Sequence, residues 1–147
     1  MKRFQFSGES LLKWRTQTVE REDARLHVLF AEAAKLEKSL KDSIRSREIA
    51  AVEIRASATV SADDLRALDA FCRHTQEQEK AIHRKMDDCA KRTRDQQQRC
   101  LLARRDEQLL LKLKERRLHE WQYEMQKELD ENASEAFLAK WNREERS

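Results

Sequence analysis

Proline is missing from this sequence, and glycine occurs once, as Gly8. Turn-rich β folds rely on both residues at their corners, so a sandwich or barrel is disfavoured. Aromatic residues are scarce at 6%, while charged residues reach 40%. A compact globule is usually about 25% charged, so this 147-residue chain cannot wrap its charge around a normal core. Such a composition could mean disorder. The abundance of Ala, Leu, Glu, Lys, Gln and Arg, all strong helix formers, argues instead for long and largely exposed helices. No apolar run approaches the roughly 18 residues of a membrane span, so no membrane insertion is expected. The apolar residues after Met1-Lys2-Arg3 are interrupted by Gln5 and Ser7, so no signal peptide is expected, and the thiols should stay reduced.

The residues that carry chemistry are equally sparse. Cys72, Cys89 and Cys100 are an odd count without a C-x-x-C pair, which argues against a disulfide framework or a zinc site. His27, His74, His83 and His119 are scattered, with no H-x-x-x-H spacing among them. Glu115 and His119 share a helix face, but two ligands on an exposed helix make a poor metal site. A single glycine cannot build a phosphate loop, and a thin hairpin offers no pocket to shield a reaction. The expectation is therefore no enzyme activity, no catalytic residue, no cofactor, no metal and no small-molecule substrate.

Helical patterning dominates what is present. The one credible break is Ser57-Ala58-Thr59-Val60-Ser61-Ala62-Asp63-Asp64. Ser61 suits an N-cap, and Asp63 and Asp64 suit a first turn, where the helix dipole favours acids. Asp64 stands where a capping box prefers Glu, an imperfect match. Helix 1 is placed at about 8–57 with Ser7 as its cap, the turn at about 58–61, and helix 2 at about 62–143, within a single coiled-coil domain spanning 1–147. Heptad positions in helix 1 read Leu12, Val19, Leu26, Ala33, Leu40, Arg47 and Ile54, with a weaker companion set of Arg15, Glu22, Leu29, Leu36, Ser43 and Ala50. In helix 2 the seam runs from Leu65 and Leu68 through Cys72, Thr75, Glu79, Ile82, Met86, Cys89, Thr93, Gln96, Cys100, Ala103 and Glu107 to Leu110. All three cysteines fall on it, as expected of small hydrophobes.

The short linker makes the fold class all-α: two long helices in an antiparallel coiled-coil hairpin. Folding at residue 59 or 60 pairs residues whose numbers sum to about 119. Helix 2 is the longer, so its C-terminal extension, from about residue 113, is expected to be unpaired. That extension carries Leu118, Trp121, Met125, Leu129 and Phe137, an apolar load that calls for another chain. Phe4 and Phe6 are expected near Leu110 and Leu113 and to join the same surface. Charge is segregated as well: residues 80–118 carry a net +7 and residues 119–147 a net −4. Arg104 and Arg105 in this basic belt are candidate partner contacts. A nucleic-acid binder is the rival reading of the belt, weakened by six interleaved acids and by the lack of a basic-zipper arrangement.

Two stretches resemble a known family. Phe4-Gln5-Phe6-Ser7-Gly8-Glu9-Ser10-Leu11-Leu12-Lys13-Trp14-Arg15 resembles the opening F-x-F-x-L-E-x-L-L-x-x-R of the flagellar export protein FliJ family, matching at Phe4, Phe6, Glu9, Leu11, Leu12 and Arg15. Gly8 departs from the usual Leu. Leu113-Lys114-Glu115-Arg116-Arg117 and Gln126-Lys127-Glu128-Leu129-Asp130-Glu131 resemble that family's charged C-terminal segment. The resemblance implies a non-enzymatic coiled-coil component of the flagellar type III export apparatus, cytoplasmic and peripheral at the inner membrane. Its implied partners are the export ATPase, a membrane protein of the export gate, and export chaperones. A generic self-associating coiled coil is the alternative.

Overall fold

The computed structural model describes residues 3–147. Among them the chain is all-α, a helical hairpin of two long helices without a strand: α1 (Glu9–Ala56, 48 residues) and α2 (Ala62–Glu145, 84 residues). The chain divides into two compact units, and both divisions fall inside helices. One comprises Glu20–Leu101 and the other comprises Met1–Val19 with Leu102–Ser147.

The unit Glu20–Leu101 contains the turn. The Ser57 amide donates to the Ile54 carbonyl, and the Ser57 hydroxyl donates to the Thr59 carbonyl. Helix α2 then starts on a reciprocal cap. The Asp64 amide donates to Ser61 Oγ at 3.1 Å, and the Ser61 amide donates to Asp64 Oδ2 at 3.0 Å. The sequence reading held Asp64 an imperfect partner, but its shorter side chain closes the box completely. The Ser61 amide first, and the Ser61 hydroxyl after it, hold the Asp64 carboxyl below the ordinary carboxylate range by hydrogen bonding to it.

Within this unit the two helices run antiparallel along one seam. Leu68, Cys72, Thr75, Glu79, Ile82, Met86, Cys89, Thr93, Gln96 and Cys100 are all buried or half-buried, while Leu65 is exposed. The seam is small and polar for a core. Cys89 is 1% exposed and its thiol faces the Leu29 carbonyl at 3.6 Å; Thr75 is 3% exposed and satisfies its hydroxyl on the Cys72 carbonyl. Gln96, 6% exposed, donates through Nε2 to the Glu22 carbonyl and to the Glu22 carboxylate. Arg47 and Glu79 pair across the seam at 3.1 Å. These residues explain why the heptad positions Glu22 and Arg47, unpromising as hydrophobic knobs, still face the other helix: each is met there by a polar partner. Paired residue numbers sum to 118 at Glu22–Gln96 and Leu29–Cys89, against the expected 119. At Arg47–Glu79 they sum to 126, because long charged side chains reach diagonally across turns.

At the seam's edge Arg92 forms a bidentate pair with Glu32, at 2.6 and 3.1 Å, and also donates to Asp88 at 3.0 Å. The hydrogen bonds from Arg92 are the chief cause of the lowered Glu32 pKa, and Glu32 in turn raises that of Arg92.

The candidate partner surface

All of the partner-contact residues named from the sequence belong to the other unit, which holds both the N-terminal segment and the end of α2. Its helices also pack antiparallel. Arg15 pairs with Asp106 at 3.0 Å and Lys114 with Glu9 at 2.9 Å. Leu12 and Ala103 are buried, and Glu107, Leu110, Lys114, Leu118, Trp121 and Met125 are half-buried. From Glu107 to Leu118 the spacing is three, four, four, a step longer than the heptad. It keeps the half-buried line facing its cover as the helix drifts.

Helix α1 begins one residue later than expected, and its cap is Gly8. The Gly8 carbonyl accepts the first helical bond from the Leu12 amide at 2.8 Å, and a turn brings the Glu9 amide to the Phe6 carbonyl at 3.2 Å. Ser7 lies inside that turn and is not the cap. The turn folds the Phe6 ring over Gly8: a Cβ at position 8 would meet Phe6 Cζ at 2.7 Å and Cε1 at 2.8 Å. The departure from Leu at position 8 thus has a local reason. Glycine is acceptable at an N-cap and here leaves room for the ring.

Residues 3–7 are not helical, and Phe4 is carried beyond its expected neighbours. Phe4 stacks on Trp121, with ring centroids 5.9 Å apart and planes tilted by 53°. Arg117, Glu120 and Glu124 join residues 3–7 around the same groove. Outside the helix, residues 3–7 run as a strap along α2 as far as Trp121, past Leu110 and Leu113. The unpaired stretch of α2 consequently begins near residue 126 and not near 113. Leu118, Trp121 and Met125 are partly covered by their own chain.

Past Met125 every residue of α2 is exposed. Leu129 is 48% and Phe137 65% exposed, and Phe137 approaches Trp141 with centroids 6.4 Å apart. This end is held locally, by Lys127–Glu131 at 3.8 Å and by the Gln126 amide donating to Asp130 at 3.0 Å. Leu129 continues the line of Leu118, Trp121 and Met125. Phe137 does not: twelve residues past Met125, at 100° each, it stands about 120° round the helix. The apolar load expected to form one stripe is therefore two.

The structure also exposes apolar residues that the sequence pattern did not assign to a surface, among them Trp14, Leu102 and Leu109. A heptad frame started one residue earlier in α2 contains the last two. In the basic belt, Arg104 and Arg105 are exposed. Arg116 and Arg117 both engage Glu120, at 3.2 and 3.3 Å. Among the described residues, no helix is long and apolar enough to cross a membrane, and no three His, Cys, Asp or Glu side chains cluster as metal ligands. No family model, curated protein or solved structure matches this chain.

Proposed function

We propose that this chain is a non-enzymatic coiled-coil adaptor of the flagellar type III export apparatus. Its role would be to promote assembly of the export ATPase and its coupling to the export gate, and to escort export chaperones. The partner identities come from the resemblance of residues 4–15, 113–117 and 126–131 to the flagellar export protein FliJ family. The single observation that carries the adaptor reading is the open end of α2. Beyond the last strap contact the helix continues from residue 126 to 145 wholly exposed, with Leu129 extending the half-buried line of Leu118, Trp121 and Met125. A helix held only by i,i+4 pairs worth about 0.2–0.5 kcal/mol each gains most of its order from whatever covers it. Helix-in-groove docking of that line by a partner suits it.

The test is binding to the flagellar export ATPase, measured by titration calorimetry and by stimulation of ATP hydrolysis. Leu129→Asp, at an exposed position, is expected to keep the helix content and to lose ATPase binding at least about tenfold, since charge in an apolar contact must be desolvated. Wild-type chain that neither binds nor stimulates the ATPase would refute the reading.

A further inference from the structure

The strap of residues 3–7 lies on part of the very line that the adaptor reading offers to a partner. Leu118, Trp121, Met125 and Leu129 follow one another at steps of three, four and four, so they share one face of α2. Exposure along that face changes where the strap ends: Leu118, Trp121 and Met125 are half-buried, whereas Leu129 is exposed. The Phe4 ring is the part of the strap that reaches the line, paired with the Trp121 ring at 5.9 Å between centroids. Tryptophan is among the residues most often found as the anchor of an interface. Here the anchor is already occupied from within the chain.

The strap is attached so that it can leave. Among the described residues its backbone makes one hydrogen bond, and that one is local: the Phe6 carbonyl accepts from the Glu9 amide. The Phe6 ring lies over Gly8, at the strap's own root. The hold on Trp121 is therefore the Phe4 ring, an apolar contact without a directional bond to fix it. Helix α1 does not depend on that contact, because its first turn closes from the Leu12 amide to the Gly8 carbonyl at 2.8 Å. Releasing Phe4 thus uncovers α2 without unwinding α1.

We propose that the strap is an autoinhibitory cover: Phe4 keeps Trp121 closed, and a partner that docks along the line displaces it. The proposal rests on the adaptor reading and adds regulation to that same site. Leu129, open at the far end of the line, gives the partner its first contact, and the strap then yields Met125, Trp121 and Leu118 in turn. When only the uncovered state is competent, the apparent affinity falls by the uncovered fraction, so a strap docked about nine-tenths of the time weakens binding about tenfold. This reverses the sign expected of Phe4 as a partner contact. Truncating a contact loosens a complex; truncating a cover tightens it.

The test is titration calorimetry of the full chain against the flagellar export ATPase. Phe4→Ala should bind about tenfold more tightly than wild type, with helix content unchanged by circular dichroism. Gly8→Leu, which displaces the Phe6 ring at the root of the strap, should act in the same direction. In the Phe4→Ala background, Trp121→Ala should then weaken binding about tenfold or more, because the uncovered indole has become a partner contact. Binding of Phe4→Ala no tighter than that of wild type overturns the proposal, as does a Phe4→Ala chain indifferent to Trp121→Ala. Wild-type binding that Leu129→Asp abolishes and Phe4→Ala leaves no tighter removes the cover and keeps the adaptor. Absence of binding by both wild type and Phe4→Ala removes both.

Discussion

The Phe4→Ala variant isolates the strap. A phenylalanine side chain of about 200 Å², half removed from water at about 25 cal/mol per Å², contributes about 2–3 kcal/mol. Its tilted pairing with Trp121 adds about 0.5–1.5 kcal/mol. Loss of this contribution should release the strap while the helices persist. The assay is tryptophan emission in a chain carrying Trp14→Phe and Trp141→Phe, both at exposed positions, so that Trp121 alone reports. Phe4→Ala should shift that emission to longer wavelength and raise its quenching by acrylamide, with far-ultraviolet circular dichroism unchanged. Amide protection within residues 20–101 should not move. Emission and quenching identical to the parent would refute the reasoning. So would a fall of many degrees in the melting temperature, which would make the strap part of the global core.

Four further expectations follow from the same structure. Gly8→Leu, which restores the residue usual in the resembling family, should displace the Phe6 ring and weaken strap docking, read by the same Trp121 quenching. Ser43 has a buried hydroxyl without a hydrogen-bond partner, so Ser43→Ala should raise stability by roughly 0.5–1 kcal/mol in denaturant titration, through propensity and relief of the unmet group. Cys89→Ala should cost about 1–2 kcal/mol by the same measurement, because it opens a small void at the most buried side chain. The folded-state pKa of Asp64 is lowered, so its cap contributes fully above the unfolded pKa of about 3.9 and is lost as pH falls through the folded value. The stability difference between wild type and Asp64→Ala should thus be constant near neutrality and shrink in acid.

Local patterning determined most of the architecture. A chain without proline and with one glycine has few alternatives to long helices, and Ser61 with Asp63 and Asp64 announces where the second one starts. The seam of α2 was legible at nearly every position because its spacing survives even where its chemistry is polar: Thr75 and Gln96 are buried as the heptad requires. What local pattern could not convey was which partners make those polar residues tolerable. Glu22 looks like a failed knob until Gln96 is seen donating to it, and Arg47 until Glu79 is.

The partner surface was legible only in part, and for a geometric reason. Spacing along a helix locates a stripe, but it does not say where the neighbouring segment ceases to be helical. Residues 3–7 lie outside the helix, and so Phe4 reaches Trp121 and shortens the open end of α2. Gly8 likewise is only a departure from the usual Leu in sequence, and it becomes intelligible with the Phe6 ring lying over it. The division of the apolar load into a line ending at Leu129 and a separate face holding Phe137 also belongs to tertiary structure. Both are apolar at helical spacing, and only the cover laid over one of them tells the two apart.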